Sequence, residues 1–269
     1  MTNRTRRGIA VALAGGTAAA LLTLTPSPAL ASVPRPAPPA PSPTPPSSPL
    51  SSSSVPSVPP FDFRDCPALP AGVDPAKWRC EVFTMDSGLR IGALDVPALA
   101  PMTVTNSEGP LPDGSKGQVF GALRSAATAV KGAPAPFGGL RVQPRYAGFS
   151  DFYSDGVHRG ALDVTFRLLH PLLGGQGRGG ACAIGSDADP VKLRFLQDGD
   201  TEWVSKEPPV LKFAMHDAAF ATPRVHGCGP LNRLAGKRLR VPAPAGDGKI
   251  SATALYTFRS YDRLPGGLV

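Results

Sequence analysis

The chain has 269 residues, a formal net charge of +8, 33 prolines and 30 glycines, with 18% charged side chains. The excess positive charge is spread thinly, with no run of five or more Lys/Arg and no nucleic-acid-binding motif, so composition argues against nucleic acid as a partner. Four cysteines without a C-x-x-C pair, and without a histidine at ligand spacing, argue against structural zinc and dithiol redox chemistry.

Residues 1–31 have the three parts of a secretory signal. Arg4, Arg6 and Arg7 form a basic head, Ile9 to Leu24 is apolar or small, and Ala29-Leu30-Ala31 precedes Ser32, so cleavage is expected after Ala31. The apolar run is short for a membrane span and is followed by Pro26 and Pro28, which disfavours a retained anchor. The cleavage site lacks the cysteine of a lipid anchor, and Arg6-Arg7 leaves both the general and the twin-arginine export routes open. Removing the signal takes away three arginines and lowers the formal charge from +8 to +5. No later segment has membrane-spanning length, so the mature chain is expected to have no transmembrane segment.

Residues 32–60 are nearly all Pro, Ser, Ala and Val, with Arg35 the sole charge. Such a stretch buries too little apolar surface to offset chain entropy and reads as a disordered linker, with Ser/Thr beside Pro suited to O-glycosylation. The remaining 209 residues, 61–269, have the length of one β-rich domain, or of two small ones.

Cys66, Cys80, Cys182 and Cys228 all lie in that part. In an oxidising compartment an even count implies two bridges, and three pairings exist. Cys66 opens and Cys80 closes a short Pro-rich excursion that needs a clasp, which favours Cys66–Cys80 and Cys182–Cys228. Loop closure assigns roughly 3 kcal/mol to the short loop and about 4 kcal/mol to the long one.

Strand patterns fill the domain. Leu162, Val164, Phe166 and Leu168 alternate with polar neighbours, as do Val191, Leu193 and Phe195, then Leu211, Phe213 and Met215, then Ile250 to Phe258. Residues 79–84, 89–94 and 102–105 are shorter candidates, and 119–130 reads as a strand at its start. Asp86-Ser87-Gly88, Asp113-Gly114, Asp198-Gly199-Asp200 and Gly246-Asp247-Gly248 are turn signals. Helix is confined to about two turns from Pro230, with Gly236 as the expected stop. The expected fold is all-β, an antiparallel β-sandwich or barrel-like domain with one or two short helices.

The common hydrolase signatures do not assemble. Gly148-Phe149-Ser150-Asp151-Phe152 lacks the second glycine of a nucleophile elbow, and His158, His170, His216 and His226 have no local partner that marks a base. The acidic residues lie in turns and cannot be paired into a glycosidase dyad from sequence. Asp151, Asp155, Asp187 and Asp189 lack calcium-loop spacing. No catalytic residue, metal ligand or cofactor is assigned. The segment around Arg145, Tyr146, Phe149, Asp151, Phe152 and Tyr153 crowds aromatics beside charges, the composition of a ligand-binding surface. The alternative is that Phe149 and Phe152 pin a long loop into the core.

Several pieces stand out in order along the domain: Phe63 with Cys66-Pro67, Cys80, Ile91-Gly92, Pro171-Leu172-Leu173-Gly174, Cys182 to Ser186 with Pro190, Phe220 to Pro223, Gly227-Cys228-Gly229, and Leu239 with Pro242 and Gly246. Together they resemble a family of uncharacterised secreted proteins of actinobacteria with two disulfides. The chain departs from that pattern at 196–201 and at Pro230. The resemblance implies secretion and paired cysteines, and implies no activity. The functional expectation is a secreted or envelope-associated, non-enzymatic binding or surface module, its partner a cell-wall polymer or an extracellular protein. The competing expectations are a secreted hydrolase whose site is assembled from distant residues, and a structural envelope protein.

Overall fold

The computed structural model describes residues 60–173 and 181–264. The expected signal, 1–31, and all but the last residue of the expected linker, 32–60, lie outside the described residues. The strands in chain order are β1 (Arg79–Ile91), β2 (Leu94–Val96), β3 (Met102–Pro110), β4 (Lys116–Ser125), β5 (Thr128–Ala129), β6 (Arg141–Asp151), β7 (His158–Leu169), β8 (Ala183–Ile184), β9 (Val191–Lys206), β10 (Pro209–Asp217), β11 (Val225–His226) and β12 (Lys249–Ser260), with helix α1 (Asn232–Leu239) before the last strand.

All ladders are antiparallel and join into one sheet. Its long strands form an up-and-down meander in which β12 returns to pair with β1, so the sheet runs β6-β7-β9-β10-β12-β1-β3-β4. No ladder joins β4 to β6 among the described residues, and the sheet is open there. Side chains bridge the gap. Gln143 Nε2 donates to the Ser125 carbonyl at 2.6 Å, the Phe120 and Tyr146 rings stack at 3.6 Å, and the Phe152 N–H donates to Gln118 Oε1 at 3.2 Å. The domain is thus all-β, as the alternation predicts, and a curled open sheet gives it sandwich-like facing walls.

The strand period places the core. On β1 the inward series is Arg79, Glu81, Phe83, Met85, Ser87, Leu89 and Ile91, and the cross-strand partners of Phe83 are Tyr256 and Val104. The apolar part of that series meets Leu162, Val164 and Phe166 from β7, Leu193 and Phe195 from β9, and Met215 from β10 in one core. One end of the sheet is plugged by Phe137, Leu140, Leu173, Phe220, Leu239 and Val241 from connections and α1. The Cys182–Cys228 bridge ties this plug to β8 and β11.

A second cluster lies on the outer face of β1. Its outward residues Cys80 and Val82 pack with Phe63, Cys66, Trp78, Tyr261 and Leu264, so the segment from residue 60 is a strap across the sheet. The Cys66–Cys80 bridge staples it, Trp78 Nε1 donates to the Pro110 carbonyl at 2.9 Å, and Tyr261 donates to the Pro67 carbonyl at 2.6 Å. Both disulfides are the expected pairs.

Three local expectations change. Asp86-Ser87-Gly88 does not turn. These residues pair with Thr253, Ala252 and Ser251 inside β1, because the long β12 partner outweighs turn propensity, and the reversal comes at Gly92 (φ +54). A Cβ at Gly92 would fall on the Leu239 carbonyl, so packing against α1 also requires glycine there. Asp198-Gly199-Asp200 lies inside β9, where the four steps from Asp198 to Glu202 face two steps of β10 as a bulge. Gly236 sits within α1 instead of ending it, since Arg240 (φ 56) caps the helix by donating its N–H to the Gly236 carbonyl.

Candidate functional site

β7 has twelve residues and at about 3.3 Å per residue reaches about 40 Å, so a core that fills one end of the sheet leaves the other to different side chains. At that other end lies a cavity of about 510 Å³, inside the roughly 300–1,000 Å³ range of small-molecule clefts. It is the upward continuation of the core. Phe83, Leu211, Phe213 and Tyr256 come from the inward series of β1, β10 and β12, while the β3–β4 turn and the segment after β6 form the rim. The Phe83 ring lies 4.8 Å from Tyr256 and stacks at 5.1 Å on Phe152.

A charged network forms the β1 wall. Glu81 is only 3% exposed, which for a carboxylate demands partners. Tyr256 Oη donates to its Oε1 at 2.7 Å, Arg79 Nε donates to the same oxygen at 2.7 Å, and Asn106 Nδ2 donates to Oε2 at 3.0 Å. Arg79 also pairs with Glu108, its cross-strand neighbour on β3. Burial, followed by the charge of Glu108, pushes the Glu81 carboxyl above its usual range, against the opposing pull of Tyr256, Arg79 and Asn106. Burial and the Glu81 charge push the Tyr256 phenol upward as well, so it remains a donor.

The β7 wall has a different charge balance. Arg159 lies in the cavity wall with its guanidinium 4.7 Å from the Phe213 ring centroid. Its terminal nitrogens donate to Ser154 Oγ at 3.3 Å and to Thr201 Oγ1, whereas its Nε is buried without a partner. Burial lowers its pKa, and no carboxylate acts against that. Lys116 lies over the Tyr153 ring at 4.9 Å. Among the described residues neither cation has a salt-bridge partner.

Two backbone irregularities set up this wall. The β7–β9 ladder slips between His158 and Gly160, so Arg159 is the extra residue of a bulge, and Thr201 belongs to the β9 bulge. Gly160 (φ +127) has no room for a Cβ beside the Asp151 carbonyl and Phe152.

The expected site residues scatter. Phe152 and Tyr153 line the cavity, and Tyr153 Oη donates to the Gly117 carbonyl at 3.3 Å across the β4–β6 gap. Tyr146 is half-buried against Phe120 in that gap, and Asp151 Oδ1 accepts the Tyr153 N–H at 3.0 Å. Arg145 is exposed on β6, and Phe149, 45% exposed, lies under the Arg194 guanidinium at 5.2 Å. The histidines make other contacts. His158 bonds Asp155 at 2.8 Å, His216 faces Asp198 at 2.7 Å, and His170 Nε2 meets the Gly138 carbonyl at 2.9 Å.

Sequence reasoning missed Arg79, Glu81, Glu108, Arg159, Thr201 and Tyr256. One signal for the charged network was present: Arg79 and Glu81 share the phase of Phe83 and Met85, placing charge on the face meant for the core. No family model, no curated protein and no solved structure matches this chain.

Proposed function

We propose that the protein is a secreted or envelope-associated, non-enzymatic binding module that takes a small amphipathic organic molecule into the open end of its sheet. The cavity is the observation that carries this reading: aromatic walls that continue the core, one convergent polar network on its β1 wall, and bulges that re-aim side chains towards it. Secretion is supported by the basic, apolar and Ala-x-Ala pattern of residues 1–31, by the two disulfides, and by the resemblance to secreted actinobacterial proteins. No helix among the described residues is long and apolar enough to cross a membrane.

The test uses the purified protein with both bridges formed, titrated with the neutral fluorophore N-phenyl-1-naphthylamine. Saturable uptake of one molecule per chain is expected, and Thr201→Trp or Ser154→Trp, each filling the cavity from its rim, should abolish it. Unsaturable uptake, or uptake indifferent to both substitutions in folded protein, would remove this reading.

A second surface favours the polymer expectation. Lys77, Arg259 and Arg263 line an outer groove of about 440 Å³ beside Phe258 and Pro209, a cationic and aromatic surface suited to an anionic wall polymer. Co-sedimentation with purified cell walls, lost on replacing the three cations, tests that use separately.

A further inference from the structure

The β1 wall and the β7 wall of the cavity differ in their charge. On the β1 wall Arg79 pairs with both Glu81 and Glu108, so that wall is internally compensated. Arg159 on β7 and Lys116 on β4 have no carboxylate partner among the described residues. A half-buried guanidinium is expensive to desolvate unless its donors are used, and a buried donor left unmade costs more than an average hydrogen bond gains. Arg159 nonetheless has its Nε buried without a partner, and each of its terminal nitrogens keeps a second N–H beyond the bonds to Ser154 and Thr201. Those two bonds fix the plane of the group, and Phe213 supports one face. An oriented guanidinium with an unused donor suits an anionic head, the geometry in which arginine outperforms lysine.

We propose that the ligand of this cavity is an amphipathic organic acid. Its anionic group binds the guanidinium of Arg159 through the terminal N–H groups that Ser154 and Thr201 leave free, with Lys116 adding charge at the rim. Its flat apolar body lies among Phe83, Phe152, Phe213 and Tyr256. This proposal rests on the cavity being a binding site and adds the ligand class and the residue that selects it.

Two dyes that share one scaffold separate the claims. N-phenyl-1-naphthylamine is neutral, and 1-anilinonaphthalene-8-sulfonate adds an acid group to the same rings. The purified, disulfide-bonded protein is titrated with each, alongside Arg159→Gln and Arg159→Lys, with folding of every variant checked by cooperative urea unfolding. The sulfonate is expected to bind at least about tenfold more tightly than the neutral dye. Arg159→Gln should weaken the sulfonate by about 10- to 100-fold and leave the neutral dye within about twofold, while Arg159→Lys should retain part of the preference. Equal binding of the two dyes, or equal weakening of both by Arg159→Gln, overturns the organic-acid assignment while leaving a binding cavity. Failure of both dyes to bind saturably overturns the cavity reading, and this inference with it.

Discussion

The hydrogen bond from Tyr256 to Glu81 gives the sharpest test of the charged network. Tyr256→Phe removes the phenol oxygen and keeps the ring that packs on Phe83. When Glu81 is ionised, the loss is that of a bond to a charged acceptor, about 1.5–3 kcal/mol; when it is protonated, the loss is that of a neutral bond, about 0.5–1.5 kcal/mol. Because burial raises the Glu81 pKa in the folded state, the native protein binds that proton more tightly than the unfolded chain. The stability Glu81 contributes is therefore fully present below the ordinary glutamate range and is lost as pH rises through the raised folded value. Urea unfolding under oxidising conditions at pH 4 and pH 8.5, on wild type, Tyr256→Phe, Glu81→Gln and the double variant, measures these effects. At an m of about 2 kcal/mol/M, Tyr256→Phe should lower the midpoint by about 1 M at pH 8.5 and by clearly less at pH 4. In the Glu81→Gln background the cost of Tyr256→Phe should be the same at both pH values. A cost independent of pH in the wild-type background, or one that still varies with pH in the Glu81→Gln background, refutes this role of Glu81.

Other substitutions test the frame around it. Cys182→Ser with Cys228→Ser should cost about 4 kcal/mol and Cys66→Ser with Cys80→Ser about 3 kcal/mol in denaturant titration, following sequence separations of 46 and 14, with no further loss in reductant when all four are replaced. Gly109→Ala should cost about 1–3 kcal/mol and change Trp78 emission, because a Cβ there would fall on the indole ring at 2.5 Å. Arg240→Gly should raise the thermal midpoint, worth a few tenths to about 1 kcal/mol, since relief of the left-handed conformation at φ 56 outweighs the added freedom of the unfolded chain.

Local patterns predicted more of this fold than of its site, for a physical reason. Alternation at Leu162–Leu168, Val191–Phe195, Leu211–Met215 and Ile250–Phe258 is written in neighbouring residues and reappears in β7, β9, β10 and β12. The disulfide pairing follows from one short loop. Turn signals failed where a long partner strand enforced pairing, at Asp86 to Gly88, or absorbed extra residues as a bulge, at Gly199 to Thr201. The cavity is written nowhere locally. Glu81 and Tyr256 stand 175 residues apart and meet only because β12 returns to β1. Arg159 enters the wall through a slip of one residue within the β7–β9 ladder. The aromatic-rich stretch 145–153 supplies Phe152 and Tyr153 to the cavity, while the bulge between Tyr146 and Ser150 separates them in register from Arg145 and Tyr146.

The most direct measurement of the binding account is the position of a bound probe. Intermolecular nuclear Overhauser effects from N-phenyl-1-naphthylamine are predicted to the Leu211 methyls and to the Phe213 and Tyr256 rings, saturating at one molecule per chain. Effects confined to exposed apolar residues of the opposite, plugged end, such as Leu172 and Leu234, with none from the cavity, would contradict it.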